Sequence, residues 1–234
     1  MMRYAVFIIY LFITGCSGVQ IHSSIKHHAI SLQAGDLEQN GLAFLTPTTP
    51  TGQEEDKQAL AFVFADVMGK LHQEIRIVTL PDTLGQVNRA DLADAYREMY
   101  DEYRSTGILN KKLLSRISQM VETRYLALIN LGKFTQGTNT RFGVLGLRLI
   151  DTKFSNMRLF LQIWDGRTGG IAWEGYVEVN YSDETFSEQP ISFRQIMIES
   201  AQQLIATLPT LNPPSAGQIE KLVVDVHAAD EDNE

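Results

Sequence analysis

Apolar side chains recur in this chain at two spacings, and the alternation between them predicts its elements. Gly41-Leu42-Ala43-Phe44-Leu45-Thr46 is a short apolar run stopped by Pro47 and Pro50, as a buried strand would be. Over residues 56–73, Leu60, Val63, Phe64, Val67 and Leu71 fall three and four apart, which gathers them on one face of a helix. Glu54, Glu55 and Asp56 near its start suit the positive end of the helix dipole. Ile75-Arg76-Ile77-Val78-Thr79-Leu80 predicts a second strand, closed by Pro81, whose ring has no N–H to give a ladder. Helical spacing returns in Leu92, Ala95, Tyr96, Met99 and Tyr103, with Gly107 as its end. Asn110 is placed to cap a further helix carrying Leu113, Leu114, Ile117 and Val121.

Tyr125-Leu126-Ala127-Leu128-Ile129-Asn130-Leu131 is apolar at consecutive positions, which predicts a central strand covered on both faces. Two strands follow, residues 145–151 and 157–164, joined by a polar turn over 153–156. A third, residues 171–181, returns after Asp165-Gly166-Arg167-Thr168-Gly169-Gly170. In that third strand Ile171, Trp173, Gly175, Val177, Val179 and Tyr181 alternate with a more polar set. A last helix begins near residues 190–192 and buries Phe193, Ile196, Met197, Ala201, Leu204, Ile205 and Leu208. The early crossovers favour parallel pairing and the late hairpins force antiparallel pairing. The expected fold is therefore α/β: one domain, residues 41–208, with helices packed on a mixed sheet of about five to six strands.

The two ends read differently. Arg3 precedes the apolar run Tyr4-Ala5-Val6-Phe7-Ile8-Ile9-Tyr10-Leu11-Phe12-Ile13, the n-region and h-region of an export signal. The run is shorter than the roughly 18 to 20 residues a spanning helix needs. Its end, Ile13-Thr14-Gly15-Cys16, resembles the bacterial lipobox and contains the single cysteine of the chain. The expectation is cleavage of residues 1–15 and attachment of lipid to Cys16. In lipoproteins similar to this one, Ser17 rather than aspartate after the cysteine implies sorting to the outer membrane. Residues 16–40 hold His22, His27 and His28 without a sustained period and are expected to form a lipidated tether with at most one short strand. The three histidines lack a ligand spacing for metal. Pro209, Pro213 and Pro214 close the domain, and residues 209–234 are expected to be a flexible, acidic tail.

Composition narrows the function classes. Of 234 residues, 44% are hydrophobic and 21% charged, ordinary for a globular chain. The net charge is -8; loss of Arg3 with the signal leaves 19 basic against 28 acidic residues, or -9, which does not attract nucleic acid.

Leu159-Phe160-Leu161-Gln162-Ile163-Trp164-Asp165-Gly166-Arg167-Thr168-Gly169-Gly170-Ile171-Ala172-Trp173 resembles a hairpin of the periplasmic lipoprotein family that includes the curli secretion subunit and the lipoprotein activators of penicillin-binding proteins. Those hairpins run strand, Asp, a turn with Thr-Gly, a branched residue, then Trp. The stretch from Tyr125 to Gly132 is also similar to the family's strand leading into its sheet. The resemblance spans about residues 41–208 and implies an anticodon-binding-like domain, no enzyme, no cofactor, and a role as a protein-binding module. Trp164, Asp165, Thr168, Gly169 and Trp173 mark the fold rather than a site: Asp165 can accept backbone N–H groups, the glycines permit positive φ, and the tryptophans can pack on the sheet. The curli subunit adds long alternating hairpins that form a membrane barrel. Here residues 141–151 and 157–164 are needed by the sheet, leaving no spare pair for a pore.

Two function classes remain. The first is a lipid-anchored, non-catalytic module that binds another envelope protein. The second is a periplasmic enzyme, or a subunit of a secretion channel. The chain contains no Gly-x-Ser-x-Gly elbow, no His-Glu-x-x-His pair and no phosphate-binding glycine loop. Asp82, Asp91, Asp94 and Glu98 are the densest acidic group, expected as a solvated helix face rather than an acid–base pair. Lys111, Lys112 and Arg116 could form a basic patch for anionic headgroups or sit on an ordinary helix surface. Phe134, Phe142 and Phe154 are expected to cap core edges rather than to form a partner patch.

Overall fold

Tyr125 to Ile129 is apolar throughout because it runs between two cores. In the computed structural model, which describes residues 20–144, 147–185, 193–215 and 217–219, this segment opens β4 (Tyr125–Val144). Five other strands complete one sheet: β1 (Gln20–Ala29), β2 (Leu42–Phe44), β3 (Ile77–Val78), β5 (Leu147–Asp165) and β6 (Ile171–Thr185), in the spatial order β1-β6-β5-β4-β2-β3. β2 pairs parallel with β3 and β4, whereas β4, β5, β6 and β1 pair antiparallel in succession. The sheet is mixed, as the crossovers and hairpins require.

Six helices lie among the described residues: α1 (Asp36–Asn40), α2 (Glu54–Leu71), α3 (Leu80–Arg89), α4 (Ala93–Thr106), α5 (Lys111–Met120) and α6 (Phe193–Ile205). Tyr125, Ala127, Ile129 and Leu131 of β4 join Met157, Leu159, Leu161 and Ile163 of β5 in the larger core, closed by α2 and α6. Leu126 and Leu128 face the smaller core with Trp164, closed by α4, α5 and the end of α3. Caps set the helix ends. Gly107 ends α4 at φ 72°, and Asn110 Oδ1 accepts the N–H groups of Lys112 and Leu113 to start α5.

Three segments depart from expectation. Residues 20–29, expected within a tether, form the edge strand β1, paired with β6 from Gln20↔Ser182 to Ala29↔Trp173. His22 and His28 lie on one face of it, and His27 on the other stacks on Trp173 at 6.3 Å. The strand expected over 75–80 shrinks to Ile77–Val78, because Pro81 stands in the first turn of α3, where its missing N–H costs nothing. Thr79 caps that helix, accepting the Asp82 N–H and donating its hydroxyl to the Asp82 carboxylate at 2.6 Å. No turn interrupts 153–156: β5 is continuous, and β4 and β5 form one long hairpin from Tyr125↔Asp165 to Val144↔Leu147.

The length of the β4–β5 hairpin therefore does not exclude a pore, but one stretch of it lacks the barrel pattern. Thr135-Gln136-Gly137-Thr138-Asn139-Thr140 is polar at consecutive positions, whereas a lipid-facing barrel strand is apolar at every second one. No helix among the described residues is long and apolar enough to cross a membrane.

Candidate functional site

The hairpin between β5 and β6 is built around Asp165. Its side chain is 3% exposed. Oδ1 accepts Arg124 Nε at 3.2 Å and the Arg167 N–H at 2.9 Å; Oδ2 accepts Arg124 Nη2 at 2.8 Å. Burial alone would raise this carboxyl's pKa. The Arg124 hydrogen bonds and the Arg167 amide outweigh it, so the pKa lies below the ordinary value. The turn closes through Gly169 N–H to the Asp165 carbonyl at 2.7 Å, with Gly169 at φ 75°, and Thr168 Oγ1 accepts the Gly170 N–H at 3.3 Å.

At Gly166 a Cβ would stand 2.4 Å from that of Ser118, so only glycine lets the turn meet α5. Trp173 lies opposite Ile163 in the register, and Trp164, the next residue of β5, points to the other face of the sheet. Trp173 is buried in the larger core and Trp164 in the smaller. The motif thus joins both cores and the start of β4; its carboxylate and turn amides are engaged internally, while the indole N–H groups of Trp164 and Trp173 are buried without a hydrogen-bond partner among the described residues.

The acidic group disperses. Asp82 is engaged by Thr79, Asp94 pairs with Arg97 at 3.0 Å, and Asp82, Asp91, Asp94 and Glu98 are all exposed. Lys112 and Arg116 share a shallow cleft between α4 and α5 with Glu98 and Glu102, so these basic residues face counter-charges of their own chain, as an ordinary helix surface would. Lys111 lies along Gly169. Phe134 packs edge-on against Phe193 at 4.6 Å, a core-edge contact. The side chains of Phe142 and Phe154 lie outside the described residues, as do Ile13, Thr14, Gly15 and Cys16. Among the described residues no three His, Cys, Asp or Glu side chains gather to hold a metal ion.

Two surfaces remain uncovered. On the side of the sheet opposite the larger core, α4 reaches only as far as β5, through Tyr103 Oη donating to Gln162 Oε1 at 3.1 Å. Beyond it Phe160 and Tyr176 lean together at 5.5 Å beside the Arg158–Glu178 pair. The second surface was not singled out in the sequence. α2 buries Leu60, Val63, Phe64 and Val67 and leaves Phe62 on its outer side, 68% exposed. Between α2 and α3 lies a groove of about 690 Å³ whose walls are Ala59, Phe62, Ala65, Leu80, Pro81 and Leu84. The signal was present: Phe62 is a large apolar residue off the helix's buried stripe.

No family model matches this sequence, and no curated protein matches it. Solved structures do. A PelC dodecamer from Paraburkholderia phytofirmans is similar at 9% identity and a TM-score of 0.44, with 82% of this chain and 100% of that one covered. The lipoprotein GNA1162 from Neisseria meningitidis is similar at 11% identity and 0.35, over 71% of this chain and 98% of that one. The LpoB C-terminal domain from Salmonella enterica is similar at 13% identity and 0.35, over 64% and 86%.

Proposed function

We propose that this chain is a lipid-anchored, non-catalytic module of the bacterial envelope that binds another envelope protein. The observation that carries this reading is the α2–α3 groove. An uncovered apolar channel bearing a phenylalanine on a helix's outer side is what a protein surface keeps when a partner covers it. The anchor is Cys16, acylated after cleavage of residues 1–15, and Ser17 directs the lipoprotein to the outer membrane. The edge strand β1 begins four residues after Cys16, so lipid on that cysteine would hold the sheet close to the bilayer.

The test is expression in a Gram-negative host of the wild type and of Cys16→Ala and Phe62→Ser variants. Membrane fractionation and intact mass follow the anchor, and crosslinking follows the partner. The wild type is expected in the membrane fraction with acyl mass, crosslinked to a discrete envelope protein. Cys16→Ala loses the mass. Phe62→Ser keeps the mass and a stability within about 0.5 kcal/mol of wild type, and loses the crosslink. A wild type without acyl mass would refute the anchor; capture indifferent to Phe62 would refute the groove.

A further inference from the structure

The groove is lined mostly by apolar side chains, with Gln58 and Thr79 its polar members, and acidic residues stand beside it on both helices. On α2 the residues seven before and four after Phe62 are Glu55 and Asp66, which at 3.6 residues per turn stand on the same stripe as the phenylalanine. On α3 Asp82 follows Pro81 at the other wall. α2 as a whole carries Glu54, Glu55, Asp56 and Asp66 against Lys57 and Lys70. Several of these are engaged internally: Lys57 with Glu54 at 3.3 Å, Asp56 with the Thr51 hydroxyl at 2.7 Å, Asp66 with Lys70 at 2.8 Å. Glu55 has no ion-pair partner among the described residues and is exposed, and Asp82 receives only the neutral Thr79 hydroxyl.

We infer that the groove takes a cationic amphipathic helix of the partner protein, its apolar residues on Phe62 and its lysines or arginines against Glu55 and Asp82. The inference rests on reading the groove as a docking surface and names the chemistry of what docks. Gln58 to Ala65 spans two turns, roughly 10 Å, which matches apolar anchors spaced i, i+4 and i+7 on one helix. Burial of the Phe62 ring supplies the anchor, and the rim carboxylates select the sign of the flanking charge and speed encounter. An anionic partner would face unpaired carboxylates on both walls.

The full purified chain, held in phosphatidylcholine nanodiscs with empty discs as blank, is titrated with two fluorescein-labelled 16-residue helical peptides. Both carry leucines at the same positions; one has lysine and the other glutamate elsewhere. The lysine peptide is expected to bind at least about tenfold tighter than the glutamate peptide, and to weaken as salt rises from about 50 to 300 mM. Phe62→Ser should lower its affinity about tenfold. Glu55→Gln with Asp82→Asn should lower it several-fold and flatten the salt dependence; thermal melts confirm that each variant is folded. Equal binding of the two peptides, or lysine-peptide binding unmoved by Phe62→Ser, would overturn the inference. An envelope partner captured through Phe62 but indifferent to Glu55 and Asp82 would leave the docking reading standing and remove the charge selection. Charge-selective peptide binding without any captured partner would do the reverse.

Discussion

Asp165 keeps a charge where water hardly reaches it because Arg124 and the Arg167 amide take water's place. Its folded pKa is depressed, so the unfolded chain takes up the proton first, near the ordinary aspartate value of about 4. The stabilisation is complete above that pH and is lost as pH falls through the lower folded value. Replacing Asp165 with Ala should cost about 3 kcal/mol in urea denaturation at pH 7, leaving Arg124 without its counter-charge. Asp165→Asn should remove part of the loss of stability that follows as pH falls below the ordinary aspartate value. An Ala variant within about 1 kcal/mol of wild type would show that the ion pair does not hold the turn. At this scale the sequence was legible where a residue has one use: Asp165, Gly169, Gly107 and Asn110 each sit where turn and cap chemistry demands. Arg124 was not legible as the partner of Asp165, since 41 residues separate them and only the β4–β5 register brings them together.

The helices were read well where a stripe of apolar residues faces a core, as in α2, α4, α5 and α6, because burial demands that period. The misses in the strands share a cause, which is structure held by backbone pairing rather than by an apolar face. β1 has the sequence Gln-Ile-His-Ser-Ser-Ile-Lys-His-His-Ala, without alternation, and residues 22–29 are all exposed. The polar distal halves of β4 and β5 likewise carry no apolar period. α3 was hidden because Pro81 fits both a strand end and a helix start.

A strand with little buried side-chain area gains about 1 kcal/mol per backbone hydrogen bond against a similar entropic cost of ordering each residue. β1 should therefore open locally. Native-state hydrogen exchange is expected to give its amides a lower opening free energy than those of Leu159 and Leu161 in β5. Equal protection in β1 and β5 would mean that the edge strand belongs to the cooperative core.

As a whole, the molecule divides its surfaces. One side of the sheet lies under α2 and α6 and the other partly under α3, α4 and α5. The Trp-Asp-x-x-Thr-Gly hairpin is consumed in joining the two cores, so the motif most visible in the sequence positions the fold. The surface proposed to meet a partner is a groove between two helices that needs the tertiary structure to exist. Only its Phe62, off the stripe of α2, could have been noticed beforehand.

A photo-crosslinking amino acid at position 62, introduced in cells that make the protein, tests the docking claim most directly, with position 97 on the exposed side of α4 as the control. A discrete adduct with one envelope protein from position 62 and none from position 97 is the result expected. Adducts from both positions alike, or none from position 62, would contradict the account.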